Sequence, residues 1–114
     1  MSVFQLVGGA GDPIGEKLTG TDPVVIAEAV TGDSRVSVPW FTCTEITGAT
    51  PNLTIDILKP DATVIYLRNA KAMTAKETFI FSEGVLLLPG WKLRVTASAA
   101  NQIDVAGIKL IDNT

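Results

Sequence analysis

The residues whose types could do chemistry are few, and their spacing gives them little to work with. There is no histidine in the chain, so the commonest general base at neutral pH and the commonest metal ligand are both missing. Cys43 is the only cysteine. With no imidazole to generate a thiolate it reads as a small buried hydrophobe, and alone it makes neither a disulfide framework nor a Cys-rich zinc site. The run Gly8-Gly9-Ala10-Gly11-Asp12 has the glycine content of a phosphate loop, but the Gly-Lys-Ser/Thr ending and a following βαβ unit are missing, and it reads as a flexible arm. Asp12 with Glu16, Asp22 with Asp33, and Asp56 with Asp61 are the nearest approach to paired carboxylates. None lies in the compact acidic loop that a calcium ion with its roughly six to eight oxygens needs, so they read as solvated turn residues. Serine and threonine are plentiful without a Gly-x-Ser-x-Gly or Ser-x-x-Lys context. The sequence therefore offers no catalytic residue, no metal ligand set and no cofactor site.

The aromatic residues are the other candidates. Trp40 and Phe41, like Phe79 and Phe81, fall inside runs of strand period and are expected mainly in the core. Trp91 directly follows Pro89-Gly90 and is expected to be partly exposed, as an interface anchor is.

The elements that must position these residues have the period of strands. Val36, Val38, Trp40, Thr42, Thr44 and Ile46 alternate with Ser37, Pro39, Phe41, Cys43 and Glu45. Leu53, Ile55 and Ile57 alternate with Thr54 and Asp56, and Leu93, Val95 and Ala97 with Arg94, Thr96 and Ser98. Such runs, rich in β-branched residues, suit a pleated half-buried surface. Turn signals separate them at Thr31-Gly32-Asp33, Gly48 to Asn52, Lys59-Pro60-Asp61, Pro89-Gly90 and Ala99 to Asn101. In the last run the alternation changes phase at Gly107, which points to a β-bulge there. Asp22 to Gly32 reads either as a short helix, capped by Asp22 with Pro23 in its first turn, or as a strand after Pro23. Val24, Val25 and Val30 favour the strand. Lys71 to Lys76 reads as a loop rather than a helical turn.

Short strands at regular spacing imply an all-β fold, a single antiparallel β-sandwich of jelly-roll or Ig-like type with about eight strands over residues 23–114. Residues 1–22 carry Gly8, Gly9, Gly11, Gly15 and Gly20 and read as an extended N-terminal arm that packs on a neighbouring subunit. With 114 residues there is room for one domain. At 46% hydrophobic and only 18% charged residues, the chain is expected to hide part of its surface in a homo-oligomer. Nine Lys plus Arg against twelve Asp plus Glu argue against nucleic acid as a partner. No apolar run approaches the roughly 20 residues of a membrane helix, and no signal peptide is evident, so neither a membrane nor secretion is expected.

Leu86-Leu87-Leu88-Pro89-Gly90-Trp91-Lys92-Leu93-Arg94-Val95-Thr96-Ala97-Ser98-Ala99-Ala100-Asn101, followed by Ile103 to Gly107, resembles a run common in small virion structural proteins of tailed bacteriophages. Arg35 to Thr47 and Leu53 to Ile57 are similar to the central strands of those proteins, so the resemblance covers about residues 24–111. Two departures stand out: Trp91 replaces the usual Asp after the glycine, and the arm has no counterpart. The resemblance implies a non-enzymatic β-sandwich in the virion, made in the host bacterial cytoplasm. It would be a head decoration (cement) protein or a neck or tail accessory protein, with other virion proteins such as the major capsid protein as partners. Contacts are expected from Val3, Phe4, Leu6 and Val7 of the arm and from Trp91. The rival from another class is a carbohydrate-binding module on a tail tip, which requires exposed, coplanar aromatics.

Overall fold

The computed structural model describes residues 11–30 and 35–112. Among them are nine strands: β1 (Gly11–Lys17), β2 (Val24–Glu28), β3 (Arg35–Glu45), β4 (Asn52–Leu58), β5 (Val64–Ala72), β6 (Thr78–Phe81), β7 (Val85–Leu87), β8 (Lys92–Ala97) and β9 (Ile103–Asp112). They form two antiparallel sheets, one ordered β1-β9-β3-β6 with β7 also paired to β3, the other ordered β2-β8-β4-β5. The all-β sandwich expected from period and turns is the observed fold. The segment left open between helix and strand is the strand β2, whose valines pair with β8.

The core lies between the sheets, and alternation puts it there. Leu53, Ile55 and Ile57 of β4 face Leu93, Val95 and Ala97 of β8 in register, all buried. Val36, Val38, Phe41, Cys43, Ile103 and Val105 meet them from the five-stranded sheet, and the rings of Phe41 and Phe81 stack with centroids 5.1 Å apart. Each large apolar side chain fully buried in this way contributes about 1.5–3 kcal/mol.

Two details of period differ from the sequence reading, and they have one cause. β3 carries an extra residue between Ser37 and Trp40 relative to β9. That bulge turns Phe41, Cys43 and Glu45 to the same inner side as Val36 and Val38, and sends Trp40 outward. The expected bulge at Gly107 is therefore in the opposite strand: β9 runs past β1 without a shift, with Ile111 packed on the core and Ile108 and Leu110 outside. Gly107 is the complement of the bulge. A Cβ there would stand 2.6 Å from Phe41 Cβ and 2.7 Å from the Trp40 carbonyl oxygen, closer than packed atoms come.

The span 1–22, expected as an arm, divides. Gly11–Lys17 is an edge strand of the sandwich, followed by buried Leu18, whose N–H donates to the Ile103 carbonyl at 2.9 Å. Ile14 of β1 is buried in the core as well. Residues 1–10, with the expected contact residues Val3, Phe4, Leu6 and Val7, lie outside the described residues. No helix among the described residues is long and apolar enough to cross a membrane.

The two open sides of the sandwich are treated differently. Between β5 and β6, the Arg68 guanidinium lies 5.6 and 5.3 Å from the Phe79 and Phe81 ring centroids and pairs with the Glu83 carboxylate. Lys71 adds a second cation 4.9 Å from the Phe79 ring, paired with Glu77 at 3.0 Å. Between β1 and β2 a cleft of about 310 Å³ remains, lined by Pro13 to Glu16, Val25 to Glu28 and Lys109.

Candidate functional site

Two buried carboxylates are used for structure. Glu45 ends β3 and is 1% exposed. Its Oε2 accepts from Thr47 N–H (3.0 Å) and the Thr47 hydroxyl (2.6 Å), and its Oε1 from the N–H groups of Gly48 (2.8 Å) and Lys76 (2.9 Å). Burial is the largest single influence and pushes this carboxyl up. The donors together outweigh it and bring the group down to about 2. Asp56 is 4% exposed and receives Arg94 Nε at 2.7 Å across the β4–β8 ladder. Burial pushes the Cys43 thiol up to about 12, against a smaller lowering influence from Lys71, so the thiol stays protonated at neutral pH. Among the described residues no three of His, Cys, Asp and Glu gather where they could hold a metal ion.

The outer face of the five-stranded sheet is the feature with no structural use of its own. Register places its outward side chains in rows. One row is Gly11, Leu110, Ser37 and Leu86 across β1, β9, β3 and β7. The next is Pro13, Ile108 and Trp40. The third is Gly15, Ala106, Thr42 and Ile80, which reaches β6. None of these positions carries a charge. Trp40 is 44% exposed, Ile80 60% and Leu86 48%, and Leu88 continues the side of Leu86 at 44%. Among the described residues charge returns at the ends of these rows, with Arg35 at one and the Lys17–Asp104 pair (2.7 Å) at the other.

The outer face of the four-stranded sheet is its opposite. The row Val25, Arg94, Asp56 and Tyr66 has an ion pair at its centre, and Lys92 lies beside Glu28 in the next row. Nor do the sheet edges at the β1–β2 cleft invite another strand. Pro13 removes a backbone donor from β1, and β2 is broken by an extra residue, Ile26, between Val25 and Ala27. Both devices protect an edge against strand addition.

The fold has neighbours among solved structures. Two structures of a pentameric capsid protein isolated from metagenomic phage sequences match 97% of the chain at a TM-score of 0.60 and 17% identity. The chain spans 65% of one of those proteins and 67% of the other. At that identity the likeness is one of fold. A xylan-binding domain from Paenibacillus barcinonensis overlaps more loosely, at a TM-score of 0.39 and 12% identity over 84% of this chain and 69% of its own. No protein-family model and no curated protein matches the chain.

Trp91, the one expected contact residue inside the described range, is half-buried and packs against the core. It follows a tight turn in which Gly90 has φ +87° and in which a Cβ would stand 2.8 Å from Pro60 Cγ. Lys59 Nζ lies 5.4 Å from the Trp91 ring centroid. Trp40 and Tyr66, the most exposed described aromatics, sit on the outer faces of opposite sheets and share no platform. The face around Trp40 was hidden from sequence reading by the bulge. The run Leu86-Leu87-Leu88 held a signal all the same, because three consecutive leucines in a strand of a two-layer fold cannot all point inward.

Proposed function

We propose that the chain is a non-enzymatic structural protein of a bacteriophage virion, working by burying surface in an assembly. The observation that carries this reading is the uncharged outer face around Trp40, on a fold like that of a pentameric phage capsid protein. A monomer of this size seldom leaves so continuous an apolar face in water, and such faces mark interaction sites. Subunits of a closed shell use one in every copy. Within the virion the reading favoured here is a capsid decoration protein. Loops near Trp91 would meet the shell, the N-terminal arm and the Trp40 face would join neighbouring copies on it, and binding only the mature lattice it would stabilise that state by mass action. A neck or tail accessory role uses the same surface with a different symmetry.

The test is addition of the purified chain to mature capsids, stripped of accessory proteins, of the phage that encodes it. Saturable binding at a fixed copy number, with a raised temperature of capsid disruption, supports decoration. Exclusive binding to isolated tails or necks moves the protein there. A chain that binds no virion part, and stays monomeric at high concentration, sinks the reading.

A further inference from the structure

We propose that the outer face of the five-stranded sheet is the seat for the N-terminal segment of a second copy of this chain, with Val3, Phe4, Leu6 and Val7 laid over Ile108, Trp40 and Leu86. The inference rests on the virion-assembly reading and names the partner of that face. It starts from size. Four strands about 4.8 Å apart and five residues of about 3.3 Å make a face of roughly 300 Å² in plan. A stable interface buries about 800 Å² per partner. Two such faces pressed together fall short, and the polar ends of each face stop the patch from growing.

Further apolar surface is available in the chain outside the sandwich. Residues 1–10 hold four large apolar residues in five positions, Val3 to Val7, and no charged side chain. Ten residues reach about 33 Å when extended, enough to cross the whole sheet. Their attachment point is Gly11, at the end of β1, where Ile108 Cδ1 and Leu110 Cδ2 stand 3.1 and 3.5 Å from the position of an added Cβ. The segment thus joins the sandwich at the border of the apolar face.

Direction decides whose face it covers. β1 runs antiparallel to β9 with Gly11 opposite Leu110, so the strand enters the sheet at the end where β9 finishes and heads from there towards the rows of Trp40 and Ile80. Covering that copy's own face would require the segment to double back along β1, and covering a neighbour's would not. Continuing onward delivers the segment to a neighbour. Each copy then gives one segment and receives one, a head-to-tail contact that closes into a ring when the rotation allows. The protected edges of β1 and β2, which lie nearest the attachment point, make poor acceptors beside the face.

The test mixes two full-length single variants, Leu6→Cys and Leu86→Cys, under mild oxidation, with sizing and light scattering alongside. The buried Cys43, with its thiol pushed up to about 12, stays out of the reaction. Expected is a disulfide-linked heterodimer forming at least tenfold faster in the mixture than dimers form in either variant alone. A Leu6→Cys/Leu86→Cys double variant that closes only within one chain overturns the proposal, since the segment then covers its own sheet. An association by light scattering with no Leu6–Leu86 cross-link also overturns it, while leaving the virion reading intact. A chain monomeric throughout, without capsid binding, removes both.

Discussion

Glu45 shows at the scale of one residue why an acidic side chain can sit inside an apolar fold. Its four donors come from the turn after β3 and from the β5–β6 connection, so one carboxylate ties two loops together. Because its folded value of about 2 lies below the ordinary 4.5, its stabilisation is fully present above pH 4.5 and is lost as the pH falls through about 2. Glu45→Gln cannot accept from all four donors. Its deficit in urea midpoint relative to the native chain should be largest at pH 7 and should shrink on acidification towards pH 2; an equal deficit at both pH values would show that charge is not what the donors hold. Glu77, lowered first by the Thr74 N–H and then by the Lys71 ammonium, acts in the same direction on the neighbouring loop. Cys43 is the complementary case, a thiol kept neutral by burial. Cys43→Ser places a hydroxyl among apolar neighbours, and a loss of about 1–3 kcal/mol is expected in urea unfolding. The native thiol should react with a disulfide reagent only as fast as the chain unfolds.

At the scale of elements, β3 and β9 act as a matched pair, a bulge and the glycine that receives it. Gly107→Ala forces a Cβ against Phe41 and the Trp40 carbonyl, and should cost about 1–3 kcal/mol in urea unfolding. Gly15→Ala, in the strand on the other side of β9, meets nothing within 4 Å and should stay within about 0.5 kcal/mol of the native chain. Equal losses at the two sites would show that strand glycines matter here for some reason other than close approach. The same pair shows how far the sequence could be read. Strand period and turn residues suffice for the sandwich, because in a two-layer fold each strand must hide one side. They also flagged the irregularity at Gly107. They could not assign it to a strand, since a bulge is a property of two strands and one chain pattern shows only the sum. That is why Trp40 read as a core residue and the outer apolar face went unseen. β1 was missed for a different reason: GDPIGEK has one large apolar residue, and only pairing with β9 makes it a strand.

At the scale of the whole molecule, the two outer faces differ in kind, and association should report which one is used. A contact through the Trp40 face removes apolar area from water and few charges. Its strength should be unchanged or raised between 0.05 and 1 M NaCl, raised further by sulfate, and weakened by cooling. A contact through the opposite sheet, with Arg94, Asp56, Lys92 and Glu28, should weaken as salt screens it. Trp40→Glu separates the two. It puts a charge at the centre of the apolar face without touching the core, so monomer stability should hold within about 0.5 kcal/mol while association falls at least tenfold. Light scattering against concentration, with tryptophan emission read on the same samples, makes the comparison. In the native chain, emission should shift to shorter wavelength as association dries the Trp40 ring, because Trp91 is already packed on the core and changes little. Association that survives Trp40→Glu and collapses in salt would assign the assembly surface to the four-stranded sheet instead.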